Sequence, residues 1–398
     1  MNSQTRQTLT RLGAAYALAW ATTSMSVGPG SAALVRLSGN LSYAGLYVAL
    51  FNIGAASGAA LGGRAMDRYG RRTPLMAAYI IASVGYVIAG IGAQRATIPL
   101  LVVGAFILAA CFGAAGLSRL AAAEMFAPSE RGRGVAWVQI AAIFGAVAGP
   151  LVLLLSEPLG KLIGRPPLDL VWFIAPPLLL IAAACIASAA EPSALGHSPP
   201  APAPTPDATP TPLSGSPELV LAATVSLAAS QASMAAVMGV SGAAIAHAGH
   251  GVPVLSSVML AHFIGMFALS RVVGRFADRV GRKQTILVGL ALLAIGGAIV
   301  ALIPGATGFA AGLALVGFGW SFAFIGSTVL LADAAAPERR ARIVGRADLT
   351  AQLCSAAIAT GGGWWFASRG LAGLGVLAIA VATVPIFFLT RTAQVKGA

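Results

Sequence analysis

The chain has 398 residues, 58% of them hydrophobic and only 9% charged, against about 25% charged in water-solvated domains. A soluble surface cannot be built from that inventory, so lipid is the solvent for most of the chain. The formal charge of +13 sits in short basic clusters between apolar runs, not along one polar face, which excludes a nucleic-acid partner.

A helix needs about 20 mostly apolar residues to cross about 30 Å of hydrocarbon. Twelve runs meet that length. In the first half they fall near 12–34, 41–62, 74–93, 98–120, 134–156 and 168–190. In the second they fall near 218–240, 253–273, 285–304, 308–331, 343–366 and 371–390. The first run follows Arg6 and Arg11 and is too long for the apolar core of a signal peptide, so it reads as a retained helix. Cys111, Cys185 and Cys354 each lie inside a run, where a thiol is a small hydrophobe; neither a disulfide framework nor a metal or cofactor site follows. Between the halves, residues 191–217 carry proline too often for any helix and too little apolar surface for a domain. They read as a disordered Pro/Ala-rich tether between residues 1–190 and 218–398.

Charge sets the orientation. With both termini inside, only Arg36, Arg95, Lys161, Arg165 and Arg369 face outward, and the remaining twenty of the 25 Lys and Arg lie on the cytoplasmic side. The positive-inside bias therefore puts both termini and the tether in the cytoplasm of a bacterial-type inner membrane.

The basic clusters repeat. GRAMDRYGRR, from Gly63 to Arg72, follows the second run, and GRFADRVGRK, from Gly274 to Lys283, follows the eighth. Gly63, Asp67, Arg68, Gly70 and Arg71 are thus matched by Gly274, Asp278, Arg279, Gly281 and Arg282. A second pair follows the fourth and tenth runs, where Glu124, Pro128, Arg131 and Arg133 recur as Asp333, Pro337, Arg340 and Arg342. Both pairs recur about 210 residues further on, as a duplicated six-helix unit requires.

The two decapeptides resemble the signature loop of the major facilitator superfamily, with Ala65 and Phe276 standing where that family usually has leucine. The resemblance covers nearly the whole chain. It implies an all-α polytopic membrane protein of twelve transmembrane helices in two pseudo-symmetric six-helix bundles. It also implies a charge relay of Asp67, Arg71 and Glu124, mirrored by Asp278, Arg282 and Asp333, that latches the halves together on the cytoplasmic side. Physically, Gly70 and Gly281 supply tight turns, and the aspartates can face the positive N-terminus of a neighbouring helix. The outer arginines, Arg68, Arg72 and Arg279, also fit a plain role in topology.

Ionisable residues inside a span are candidates for function, and few occur here. Arg119 precedes Glu124 by five residues, a spacing that resembles a pattern of the drug:proton antiporter branch; a structural partnership with Glu124 fits equally. Asp348 lies just inside the eleventh run and is either a proton carrier or a dipole-stabilised acid beside Arg346. His262, with Met259 and Met266 near helical spacing, is a cavity residue or a neutral histidine packed between helices. Tyr16, Trp20 and Ser24 form one stripe on the first helix; Trp320, Phe324 and Ser327 form another on the tenth. Asn52, Gln139, Gln231 and Gln352 add amides that lipid would leave unpaired. Each is a solute contact or interhelical glue. Gly145, Gly149 and Pro150 give GAVAGP, which resembles the antiporter motif on helix five, though paired small residues also serve close packing.

No HExxH, no GxSxG and no acid pair within a span is present, so an enzyme is not expected. His247 and His250 read as a solvated loop. The sequence thus reads as a secondary transporter working by alternating access, an exporter of a small organic compound in exchange for protons, acting as a monomer. The alternative is an uptake symporter or facilitator for a metabolite; an embedded enzyme or a receptor comes after both.

Overall fold

A computed structural model describes residues 3–126, 131–195, 216–335 and 340–391. Every regular element among them is helical. In chain order these are α1 (Ser3–Ser38), a 3-10 turn (Leu41–Gly45), α2 (Leu46–Tyr69), α3 (Arg72–Gln94), α4 (Ile98–Ala115), α5 (Ser118–Glu124), α6 (Arg131–Ile163), α7 (Pro167–Ser188) and α8 (Pro192–Leu195). The second half contributes α9 (Pro217–Met238), α10 (Ser241–His247), α11 (Val252–Phe267), α12 (Ser270–Val280), α13 (Arg282–Leu302), α14 (Gly305–Ala334) and α15 (Arg340–Arg391).

Ten helical stretches among the described residues are long and apolar enough to span a membrane, not the twelve expected. Both differences have local causes. α1 is long enough but interrupts its apolar residues with Thr22, Thr23, Ser24, Ser26, Gly28, Pro29, Gly30 and Ser31. The eleventh and twelfth runs are joined in α15, which continues through Gly370 at φ 63° with a kink instead of a loop.

The chain forms two compact units: Met1–Leu37 with Leu50–Pro206, and Ser38–Ala49 with Asp207–Ala398. In the first, α3 packs on α4 and α7, and α6 packs on α5 and α7. Backbones approach where side chains are absent: a Cβ on Gly58 of α2 would overlap the Ala110 carbonyl of α4. In the second, α15 packs on α9 and α13, and α14 packs on α9, α11 and α13. Its inner contacts again use glycine, as where Gly289 of α13 meets the backbone of α14 at Gly319 and Ala323. Such close approach gives dispersion contact in a solvent that supplies no hydrophobic drive between helices.

One boundary departs from the expected division at 190 and 218. Residues 38–49 pack in the second unit, against α15. A Cβ on Gly363 would stand 2.5 Å from the Ser42 carbonyl, and one on Gly45 would overlap Ala359. The tether lies outside the described residues from 196 to 215. Its first residues do not: Glu191 is fixed by hydrogen bonds and Pro192–Leu195 form a short helix.

Candidate functional site

The two signature loops are built on the same plan. At the end of α2 the chain reverses through Gly70 at φ 76°, and at the end of α12 through Gly281 at φ 105°, conformations that glycine alone adopts without strain. A Cβ on Gly63 or Gly274, by contrast, would meet nothing within 4 Å. The turn glycines are set by backbone geometry, whereas the first glycine of each decapeptide has open space around it.

In the first unit, Arg71 joins both predicted acids. Its Nη2 and Nε donate to Glu124 at 2.6 and 2.8 Å, and Nη1 reaches Asp67 at 3.2 Å. The two parallel bonds to Glu124 are the strong, fork-shaped arrangement of guanidinium and carboxylate. Glu124 raises the arginine's already high pKa, burial acting against it and Asp67 adding to it, so Arg71 carries its charge at every working pH. Asp67 itself is largely exposed. Arg68 is exposed and lies over the Tyr69 ring at 5.4 Å, a weak surface cation–π contact.

The mirrored set in the second unit is looser. Arg282 Nε donates to Asp333 at 3.1 Å, Asp278 lies 3.6 Å from Nη1, and that same nitrogen also donates to the Ala277 carbonyl. Arg279 is exposed. Pro128 and Pro337 of the second repeated pair lie outside the described residues.

Arg119 does not join Glu124. It is exposed and turns its Nε to the Gly116 carbonyl at 3.2 Å, and no ion pair links the two among the described residues. Asp348 is exposed on α15. His262 is wholly buried between α11 and α14, its Nδ1 2.8 Å from the Leu313 carbonyl and its ring against Gly317.

The aromatic residues cluster within each unit. Tyr16 and Trp20 of α1 meet Phe112 of α4 at 6.5 and 5.2 Å between centroids, and Phe51 of α2 joins Phe112 at 5.3 Å. Trp320 stacks on Phe324 at 4.5 Å, edges onto Phe267 of α11, and donates its Nε1 to Gln231 Oε1. An indole N–H only donates, so Gln231 must present its oxygen there, and its amide N–H2 is directed elsewhere. Asn52, Gln139 and Gln352 are half-buried. Ser327 is fully buried, its hydroxyl unpartnered among the described residues.

Ser24 leaves the stripe. It is buried, donates to the Ala21 carbonyl and presses on Gly149 of α6. Gly145 meets the Ala17 carbonyl one turn earlier. The two glycines of GAVAGP thus seat α6 directly on α1, and Pro150 follows in the buried wall.

Three groups that sequence reasoning did not single out belong to this architecture. Asp169, in the first turn of α7, is buried and paired with Arg36 at 2.7 Å. Tyr79, Tyr86, Thr22, Thr23 and Cys111 line a small pocket inside the first unit, with Tyr86 hydrogen-bonded to Ser26 at 3.1 Å. Glu191 accepts from the backbone N–H groups of Arg71 and Arg72 at 2.7 and 3.1 Å. Proline flanking was the only local signal for Asp169; Glu191 had none.

Membrane-length helices in two units, with matched ion pairs at the repeated loop of each, define a multi-pass membrane protein. The chain belongs to the Major Facilitator Superfamily, whose family model matches residues 12–360. It is 29% identical over 340 residues to the MFS-type transporter YdeG of Bacillus subtilis, covering 81% of this chain and 77% of that protein. It is 27% identical over 326 residues to the riboflavin transporter RfnT of Brucella anthropi, covering 79% and 77%. Among solved structures, the E. coli xylose transporter XylE in an inward open conformation matches with a TM-score of 0.67 and 18% identity, over 96% of this chain and 95% of that one. A peptide transporter bound to sulfate matches with a TM-score of 0.71 and 14% identity, over 97% and 94%. The protein is a secondary transporter of a small molecule.

Proposed function

We propose that the protein is a proton-coupled exporter of a small, weakly polar organic compound, working by alternating access as a monomer in a bacterial inner membrane with both termini in the cytoplasm. The observation that carries this reading is the pair of matched clusters, Arg71 with Glu124 and Asp67, and Arg282 with Asp333 and Asp278. Each arginine ties its loop to the helix end that carries the second acid. A charge-assisted contact of this kind holds one arrangement and releases another at a cost of a few kcal/mol, the scale on which two-state elements are biased.

The aromatic clusters support a substrate with apolar ring surface. Trp320 and Phe324 offer π faces, and Gln231 offers a donor beside them. The glycine seat of α6 on α1 supports export, since GAVAGP resembles the antiporter motif. Arg119 and Asp348 stay as candidates for coupling, both exposed.

Uptake is the second reading. It is favoured by the kinship to a protein named a riboflavin transporter and by the fold shared with a D-xylose-proton symporter, and by the exposure of Asp348, the candidate proton carrier. Inverted vesicles with an imposed proton gradient separate the two. Gradient-driven accumulation of an aromatic test solute is the expected result; indifference to the gradient removes the antiporter.

A further inference from the structure

Glu191 closes the sixth expected span and begins the proline-rich tether, where composition assigns it no role. In the structure its carboxylate is spent on the signature loop, 120 residues away in sequence. Both oxygens accept backbone N–H groups, Oε1 from Arg71 and Oε2 from Arg72. These are donors at the start of α3, which have no partner within their own helix. No side chain of the loop caps α3, so a distant acid does so and faces the positive end of the helix dipole.

The surrounding contacts clasp the same segment. Arg72 donates to the Ala187 carbonyl, Arg11 donates to the Ser188 carbonyl, and the Ala190 N–H donates to Thr8 Oγ1. α8, immediately after Glu191, packs on α5, the helix that ends in Glu124. A Cβ on Gly70 would stand 3.2 Å from the Glu191 carboxylate, so the turn glycine leaves room for the acid.

Arg71 is therefore held at both ends by different carboxylates: its backbone by Glu191, its guanidinium by Glu124. We propose that Glu191 is a positioning residue of the latch, which fixes the backbone of Arg71 so that its side chain meets Glu124, and thereby ties the root of the tether to opening of the cytoplasmic side. The inference rests on the reading of the Arg71 cluster as a latch. The second loop is arranged otherwise: the Gln284 side chain lies against Gly281, and the segment that follows α15 lies outside the described residues.

The test uses the full chain in lipid nanodiscs, with Cys111, Cys185 and Cys354 replaced by alanine and spin labels at Tyr69→Cys and Val280→Cys, both exposed. Double electron–electron resonance reads the distance between the two loops. Glu191→Ala is expected to shift the ratio of long to short distances about tenfold toward long, the scale of one or two charge-assisted bonds. Glu191→Gln, which keeps one acceptor oxygen, recovers part of the shift. A Gly-Ser insertion between Ala203 and Pro204 leaves the ratio unchanged. If Glu191→Ala lowers the melting temperature while the ratio stays fixed, Glu191 is only a helix cap and the inference fails. If the insertion reproduces the Glu191→Ala shift, tether length and not the carboxylate is responsible, and it fails again. Arg71→Ala separates the two readings: no shift there overturns the latch itself, whereas a shift with Arg71→Ala but none with Glu191→Ala overturns the role of Glu191 alone.

Discussion

The two signature loops carry identical residues at six matching positions, yet they are not equally built. The first holds its arginine with two bonds to Glu124 and one to Asp67, and Arg71 and Glu124 keep only 15% and 26% of their side-chain surface exposed. The second holds Arg282 with one bond to Asp333, at 31% and 33% exposure, and with a distant Asp278. A duplicated motif thus preserves the turn and the charges while burial and hydrogen bonding diverge. Stability should follow the divergence, since an ion pair at a wet surface contributes little and a part-buried forked pair contributes more.

Arginine removal gives the largest expected contrast. Arg71→Ala should cost about 2–3 kcal/mol by leaving Glu124 part-buried without its partner, whereas Arg282→Ala should cost about 1 kcal/mol or less. Denaturation in detergent, monitored by the loss of tryptophan fluorescence, compares them, and equal losses would erase the distinction between the loops. Exchanging the turn glycines should reverse the order. Gly281, at φ 105° and ψ 156°, occupies a region nearly closed to other residues, and Gly281→Ala should cost about 2 kcal/mol. Gly70→Ala, at a φ of 76°, should cost about 1 kcal/mol, with a tight approach to Glu191 added. Thermal melts of the two variants check this order.

The acids come next. Glu124→Gln should lower stability by about 1–2 kcal/mol, and Asp333→Asn by about half as much, because the amide keeps an acceptor but loses the charge. Small and opposite in sign, Gly63→Ala and Gly274→Ala should each raise stability by about 0.5–1 kcal/mol, since both glycines lie inside helices with open space for a Cβ. If either abolishes transport in vesicles without lowering the melting temperature, the space beside that glycine is occupied in another state of the cycle.

The bilayer makes much of this fold legible from sequence, because a span must be about 20 apolar residues long and a repeat carries its own register. Legibility ended where small polar residues make up a buried helix. α1 packs Thr22, Thr23, Ser24 and Ser26 inside the first unit, so its composition understates its burial. The stripe through Tyr16, Trp20 and Ser24 shows a second limit. Steps of four residues drift about 40° each on a helix, so Ser24 lies about 80° from Tyr16, far enough to face Gly149 of α6 while the two aromatics face Phe112. The pairing of Arg71 with Glu124 came from family resemblance and reappears as geometry. Asp169 with Arg36, and Glu191 with the start of α3, join residues more than a hundred positions apart, and no local pattern marks such partners.

Placement of the two loops on one side of the membrane underlies all of these comparisons, and accessibility labelling tests it most directly. Tyr69→Cys and Val280→Cys, each alone in a cysteine-free background, are exposed to a membrane-impermeant maleimide in intact cells and in inverted vesicles. Both sites should react in inverted vesicles and stay protected in cells. Labelling of one from outside the cell and of the other only from inside would place the loops on opposite faces and contradict the duplicated, inward-facing latch.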